Sequence, residues 1–206
     1  MDHSKSLTYH GGFYSDEELA AIGFKAFGDN LQISRRASIY RPEVISIGSN
    51  VRIDDFSLLS GGKGINIGSY VHIGAYAALF GGAGITMEDF SGISPRATVL
   101  SESDDIRGKS LTGPTVPLRY KPTFISKPVI FRRHSGMGVN STILPGVEMG
   151  EGAVLGAHSL ATKNCEPWTI CFGTPAKRSL RRRRNVLELE QKFMADVATE
   201  RDKCRG

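Results

Sequence analysis

Aliphatic residues recur at every sixth position over most of this chain. Ile47, Ile53 and Leu59 are followed twenty residues later by Ile67, Ile73 and Leu79, and then by Met87, Ile93 and Val99. After a gap the beat resumes as Phe131, Met137, Ile143, Met149, Leu155 and Ala161. An amphipathic helix needs apolar spacings of three and four, and a half-buried strand needs two. A period of six belongs to a parallel β-helix of hexapeptide repeats. Three short strands close one triangular coil of about eighteen residues, each sending one aliphatic plug inward, and stacked coils bury a continuous column.

Small residues four places after the plug suit the crowded corners: Ala77, Ser91, Ala97, Ser141, Ala153 and Ser159. The twenty-residue coils carry Gly61-Gly62-Lys63-Gly64 and Gly81-Gly82-Ala83-Gly84, equivalent insertions expected to bulge at one corner of neighbouring coils. Glycine supplies 24 of 206 residues without a collagen period, which fits many tight corners.

Three segments lack the beat. Ser15-Asp16-Glu17-Glu18 reads as a capping box opening a short helix that stops near Gly23 or Gly28, within an N-terminal extension of residues 1–30. The solenoid is expected over 31–180. It is interrupted at 101–128 by a stretch with four prolines, expected to be an ordered excursion that binds substrate. Residues 181–206 are expected to hold an amphipathic helix that caps the open end of the column or packs on a neighbouring subunit.

The net charge of +5 is local: Lys177 to Arg184 alone brings six positive charges. That run reads either as a solvated basic segment or as a docking strip for phosphates or an anionic surface. It lacks the interleaved aromatics of a single-strand nucleic-acid groove, so no nucleic-acid partner is expected. Cys165, Cys171 and Cys204 form no metal-binding pair and read as reduced thiols of a cytoplasmic protein. Neither a secretory leader nor a membrane span is expected from the sequence.

The run Met137-Gly138-Val139-Asn140-Ser141-Thr142-Ile143-Leu144-Pro145-Gly146-Val147 resembles the hexapeptide acyltransferase pattern. Met149-Gly150-Glu151-Gly152-Ala153-Val154-Leu155-Gly156-Ala157 continues the resemblance, and Gly173-Thr174-Pro175-Ala176-Lys177 resembles the family's closing segment. Ile93-Ser94 and Ser103 to Gly108 are similar to members that acylate sugars of surface-polysaccharide synthesis, including amino sugars carried on nucleotides. The resemblance implies a left-handed parallel β-helix and a homotrimer with its sites between subunits. It also implies coenzyme A lying along the last coils as acyl donor, with a sugar or nucleotide sugar as acceptor.

An amine or hydroxyl attacking a thioester must shed a proton, and the thioester oxygen gains charge that needs stabilising. Galactoside acetyltransferases of the superfamily place a histidine near the centre of the chain, where this sequence has Ser101 to Asp105. A carboxylate at Asp104 suits a different task, orienting an amine, with Ser94 adding a hydrogen bond. Ser103, Asp105 and Arg107 complete the candidate substrate site, although Asp104-Asp105 is also an ordinary turn pair. His72 and His134 are candidate bases; His158 is a weaker one and is expected to stack with Asn140 one coil below. For the coenzyme, Gly138, Gly156 and Ala157 permit close approach, Lys163, Lys177 and Arg178 suit the phosphates, and Pro175 with Ala176 suits the adenine. The glycines serve equally well as corner residues. No catalytic metal is expected, since the histidine spacings do not converge on one face.

The leading expectation is therefore an N-acyltransferase acting on a nucleotide-linked amino sugar. The alternatives are an O-acetyltransferase with a histidine base and a scaffold without catalysis.

Overall fold

The computed structural model describes residues 12–205, with side chains through residue 200. Residues 1–11 of the expected N-terminal extension lie outside the described residues. The molecule is a left-handed parallel β-helix of about seven turns. Its first face stacks Ala26–Phe27, Ile45–Ile47, Ile65–Ile67, Ile85–Met87, Val129–Phe131 and Glu148–Met149. The second stacks Gln32–Ile33, Arg52–Ile53, His72–Ile73, Gly92–Ile93, Gly136–Met137, Val154–Leu155, Thr169–Gly173 and Ala176–Arg181. The third stacks Ser38–Tyr40, Leu58–Ser60, Ala78–Phe80, Thr98–Leu100, Thr142–Ile143 and Leu160–Ala161.

The six-residue plugs sit in register. Ile53, Ile73, Ile93, Met137 and Leu155 pair from coil to coil on the second face, as do Ile47, Ile67, Met87, Phe131 and Met149 on the first. All are buried, and they form one continuous core. The column starts earlier than the beat suggested: Ala26–Phe27, inside the expected extension, already pairs with Ser46–Ile47.

Each coil turns through residues with positive φ, and two corners carry ladders of them. One runs Asn30, Asn50, Tyr70, Phe90, His134, Gly152 and Trp168; the other includes Phe56, Tyr76, Arg96, Asn140 and His158. Where a small residue follows in the expected place, as with Ala77, Ser91 or Ser141, it is buried.

The third corner holds the insertions. Gly61 donates to the Tyr40 carbonyl (2.9 Å), Gly81 to that of Ser60 (2.8 Å) and Ser101 to that of Phe80 (3.1 Å). The 101–128 excursion thus follows Gly61–Gly64 and Gly81–Gly84 as the enlarged member of a stack of insertions spaced by twenty residues. Gly62 is irreplaceable in that stack: its φ is +54°, and a Cβ would meet the Gly81 carbonyl oxygen at 2.1 Å. Glu102–Ser103 and Ile125–Ser126 pair antiparallel at the neck of the excursion. Lys127 then donates to the Ser101 carbonyl (3.0 Å), and Val129 to that of Gly84 (3.2 Å), returning the chain to the first face.

Helix α1 (Asp16–Ile22) has the expected capping box of Ser15 with Glu18 and ends at Gly23 in the left-handed region. Its Leu19 is buried in the column core, so α1 closes the N-terminal end. Helix α2 (Asn185–Arg205) does not close the other end, as one expectation had it. It lies along a corner ladder, with Phe193 edge-on to Tyr70 (5.2 Å) and Phe90 (6.3 Å). The chain turns back before it: Ala176–Arg181 pairs antiparallel with Thr169–Gly173, ending the coil progression in a hairpin. No described helix is long and apolar enough to cross a membrane.

Candidate functional site

Outward-facing residues on the second face form a row one coil apart: Arg52, His72, Gly92, Gly136, Val154 and Ile170. The two glycines interrupt the row of side chains. Neither is required by the backbone, since a Cβ would meet nothing closer than 3.7 Å at Gly92 and 3.4 Å at Gly136. Their effect is to leave an open trough of about 430 Å³, lined by His72, Gly92, Ser94, Pro95, Gly136 and Val154 among others. That volume lies in the range of small-molecule sites. The backbone N–H of Ser94 donates to the Met137 carbonyl (3.0 Å), which fixes the residue at the edge of the trough.

His72 enters the same trough with its ring held. Its Nε2 lies 2.7 Å from Asp54 Oδ2, and Arg52 Nε donates to Asp54 Oδ1 at 2.7 Å. Burial alone would raise the Asp54 carboxyl, but the hydrogen bonds from Arg52 and His72 hold it below the usual carboxylate range. Asp54 was missed from the sequence. The twenty-residue period places Arg52, His72 and Gly92 in one row, and Asp54, two residues beyond Arg52, was within reach of that reasoning.

Asp104 lies in the excursion rather than in the trough. Its carboxylate accepts from Gly113 N–H (2.7 Å) and from Lys121 Nζ (2.8 Å), and Lys121 Nζ also donates to the Gly113 carbonyl. The Lys121 hydrogen bond, then that of Gly113, holds the Asp104 carboxyl below its ordinary value. The Lys121 side chain is almost fully covered and Asp104 only partly so. Asp104 is therefore an ionised carboxylate in which each oxygen accepts one hydrogen bond and part of the side chain stays exposed. Asp105 accepts from the backbone of Arg107 (3.0 Å) and Lys109 (2.7 Å), as a turn-forming aspartate does. Ser103 spends its hydroxyl on the neighbouring Asp104 carbonyl (3.1 Å). Lys121 carried no sequence signal, because the excursion has no period to place it.

His134 sits elsewhere, buried beneath α2. Its Nε2 lies 2.6 Å from Glu190 Oε2, and its ring stacks on Phe90 (5.3 Å). His158 stands in the other ladder, where Asn140 Nδ2 approaches its Nε2 at 3.4 Å, as the eighteen-residue spacing predicted.

The coenzyme candidates divide into two groups. Lys163, Pro175, Ala176, Lys177 and Arg178 converge on a cleft of about 460 Å³ between the last coil and the hairpin. Gly138, by contrast, is needed by the stacking itself. A Cβ there would lie 2.5 Å from the Ala157 nitrogen and 2.8 Å from the Gly156 carbonyl carbon, so Gly138, Gly156 and Ala157 meet one another across a corner. Cys165 and Cys171 also line the cleft, and burial pushes the Cys165 thiol well above its ordinary value, which makes it a poor nucleophile.

No family model matches this chain. Over 182 residues, it is 40% identical to the dTDP-4-amino-4,6-dideoxy-D-glucose acyltransferase of Escherichia coli, covering 87% of this chain and 94% of that protein. The crystal structure of a variant of AntD, an N-acyltransferase from Bacillus cereus, superposes with a TM-score of 0.87 at 47% identity, covering 90% of this chain and 98% of that one. AntD structures hold coenzyme A with dTDP or with dTDP-4-amino-4,6-dideoxyglucose, and 3-hydroxybutyryl-CoA with dTDP. They include variants at one serine and at one aspartate ten residues further along. A maltose O-acetyltransferase from Clostridium difficile shares the fold at 17% identity, with a TM-score of 0.55.

Proposed function

Since this chain belongs to the dTDP-amino-sugar N-acyltransferase family, we propose that it moves an acyl group from acyl-coenzyme A to the amino group of a nucleotide-linked amino sugar. The observation that carries this reading is the near-complete overlap with AntD, whose structures hold coenzyme A together with a dTDP-amino sugar. The product is an amide and free coenzyme A, with one proton released from the attacking nitrogen.

Ser94 and Asp104 stand ten residues apart, the spacing of the serine and aspartate varied in AntD. This supports Asp104 as the carboxylate that accepts a hydrogen bond from the sugar amine, orients its lone pair and takes up its charge as the C–N bond forms. Lys121 is its positioning residue. Ser94 offers a hydroxyl at the trough edge to the sugar or to the thioester oxygen as that oxygen gains charge. Arg107, Ser103 and Asp105 shape the excursion around the acceptor. The trough over Gly92 and Gly136 suits the thin pantetheine arm. Lys163, Lys177 and Arg178 in the upper cleft suit phosphates, with Pro175 and Ala176 against the adenine.

The trough and the excursion lie on different parts of the protomer, which supports a homotrimer in which neighbouring copies complete each site. A bacterial cytoplasmic enzyme of surface-polysaccharide synthesis, such as lipopolysaccharide assembly, fits a nucleotide-sugar acceptor. His134, sealed under α2, is assigned a structural role.

One observation favours a second reading. The Asp54–His72 pair leaves His72 Nδ1 free to accept a proton, the arrangement an O-acetyltransferase needs for a hydroxyl acceptor. Calorimetry of Gly92→Leu tests the coenzyme placement. This variant fills the trough where the fold tolerates a side chain, so it is expected to keep its melting temperature and lose coenzyme A binding. Unchanged binding contradicts the trough assignment. Comparing amine and hydroxyl acceptors with His72→Gln separates the two readings: N-acylation survives the substitution, whereas O-acylation does not.

A further inference from the structure

The run Arg181 to Arg184 has no place in the chemistry above. We infer that the pocket between Trp168 and Arg181, Arg182 and Arg184 is a binding site for a phosphate-bearing group, a diphosphate or phosphate monoester carried on a nucleotide. The choice of nucleotide rests on the acyl-transfer reading, while the phosphate site itself is tested separately from transfer.

The charge of these arginines is not offset within the described chain. Most coil arginines face carboxylates, Arg96 over the Tyr76 ring being an exception: Arg35 meets Glu18, Arg36 meets Asp55, Arg41 meets Glu43, and Arg52 meets Asp54. Arg132 bridges Glu88 and Glu148, and Arg133 bridges Asp89 and Glu190. Arg181, Arg182 and Arg184 have no carboxylate partner among the described residues. They nevertheless line a pocket of about 400 Å³ with Pro167, Trp168 and Thr169.

Two of the three are held in place. Arg182 Nη1 donates to the His134 carbonyl (2.6 Å) and the Gly152 carbonyl (2.9 Å), which spends one of its nitrogens and leaves the rest of the fork. Burial pushes Arg182 below its ordinary range with no anion to offset it, the state of a cation prepared for a ligand charge. The Arg184 guanidinium lies 5.3 Å from the centre of the Trp168 ring. Gly152 makes this possible. It stands in the corner ladder directly below Trp168, with φ at +65°, and a Cβ there would meet the indole at 2.5 Å. Fixed, unneutralised guanidinium forks in a concave site recognise phosphate oxygens. The indole face is already taken by Arg184, so the pocket selects for phosphate charge rather than for a stacked base.

Trp168 is the only tryptophan of the chain, so its fluorescence reports on this pocket alone. The test titrates the intact protein with inorganic pyrophosphate, coenzyme A, dephospho-coenzyme A and dTDP. The expected result is a saturable change that weakens with salt. It should weaken about tenfold or more in Arg181→Gln/Arg184→Gln and remain in Lys192→Gln, a control of the same charge class on α2. Tighter binding of coenzyme A than of its dephospho form assigns the 3′-phosphate as the source, and tighter binding of dTDP assigns the sugar nucleotide. A signal that does not saturate, or that is equal in the double variant, overturns the inference. Acyl transfer is measured on the same samples: loss of transfer with an intact Trp168 signal counts against the catalytic reading and leaves this site standing.

Discussion

At the scale of residues, the proposed chemistry rests on Asp104, whose carboxyl Lys121 helps to keep ionised. The Lys121 contact keeps the Asp104 carboxyl below its ordinary value, so the carboxylate stays ionised throughout the neutral range. Asp104→Asn keeps the shape and removes the acceptor charge; kcat should fall by about 10²-fold or more, with coenzyme A affinity unchanged. Steady-state kinetics at saturating donor check this. Lys121→Met leaves the carboxyl but removes the first cause of its depression. The acid limb of the kcat/KM profile should therefore move to higher pH than in the parent protein, and an unmoved limb would separate Lys121 from Asp104 function. Ser94 and Asp104 were both visible in the sequence, because they sit in motifs with recognisable neighbours. Lys121 was not singled out, since it acts through a contact that only the folded chain creates across a loop without period; Asp54 was passed over although the coil period sets it beside the row of Arg52 and His72. The histidines show the converse. Sequence treated His72 and His134 as similar candidates, and only packing separates a ring facing a trough from one sealed by a helix.

At the scale of elements, the coils were legible and the appendages only partly so. A plug at every sixth place is a strong repeated signal, and each plug adds about 1.5–3 kcal/mol of burial. Leu79→Ala in mid-column should cost about 2–5 kcal/mol in denaturant unfolding. The closing hairpin was missed because Thr169 to Arg181 follows the last plug and has no partner pattern of its own. The placement of α2 was missed because its apolar face is narrow. Leu189, Phe193 and Met194 stay substantially exposed, and docking combines the edge of Phe193 against Tyr70 and Phe90 with a polar contact, Glu190 with Arg133 and His134. The Arg133 hydrogen bond, against the opposing effect of burial, and then the His134 contact, hold the Glu190 carboxyl below its ordinary value. A depressed carboxyl contributes stability above its unfolded value and loses it as pH falls through the folded one. Helix α2 should therefore loosen from the corner ladder below about pH 4, and Glu190→Gln should bring that loosening to neutral pH. Hydrogen exchange over residues 185–200 measures both; equal protection at pH 3.5 and pH 7 would contradict the assignment.

At the scale of the whole molecule, one protomer presents a trough on its second face and an ordered excursion at its third corner, and the proposed transfer draws on both. Sedimentation equilibrium should find a particle of three 22.4 kDa chains. A fully active single chain would contradict a site shared between copies. The central claim is that the acyl group ends on a sugar nitrogen. The direct test incubates the protein with acetyl-CoA or 3-hydroxybutyryl-CoA and dTDP-4-amino-4,6-dideoxyglucose, and follows thiol release and product mass together. Equal amounts of free coenzyme A and of an amide-linked nucleotide sugar are predicted. Thiol release without an acylated amine, or acylation of a hydroxyl sugar in its place, would contradict it.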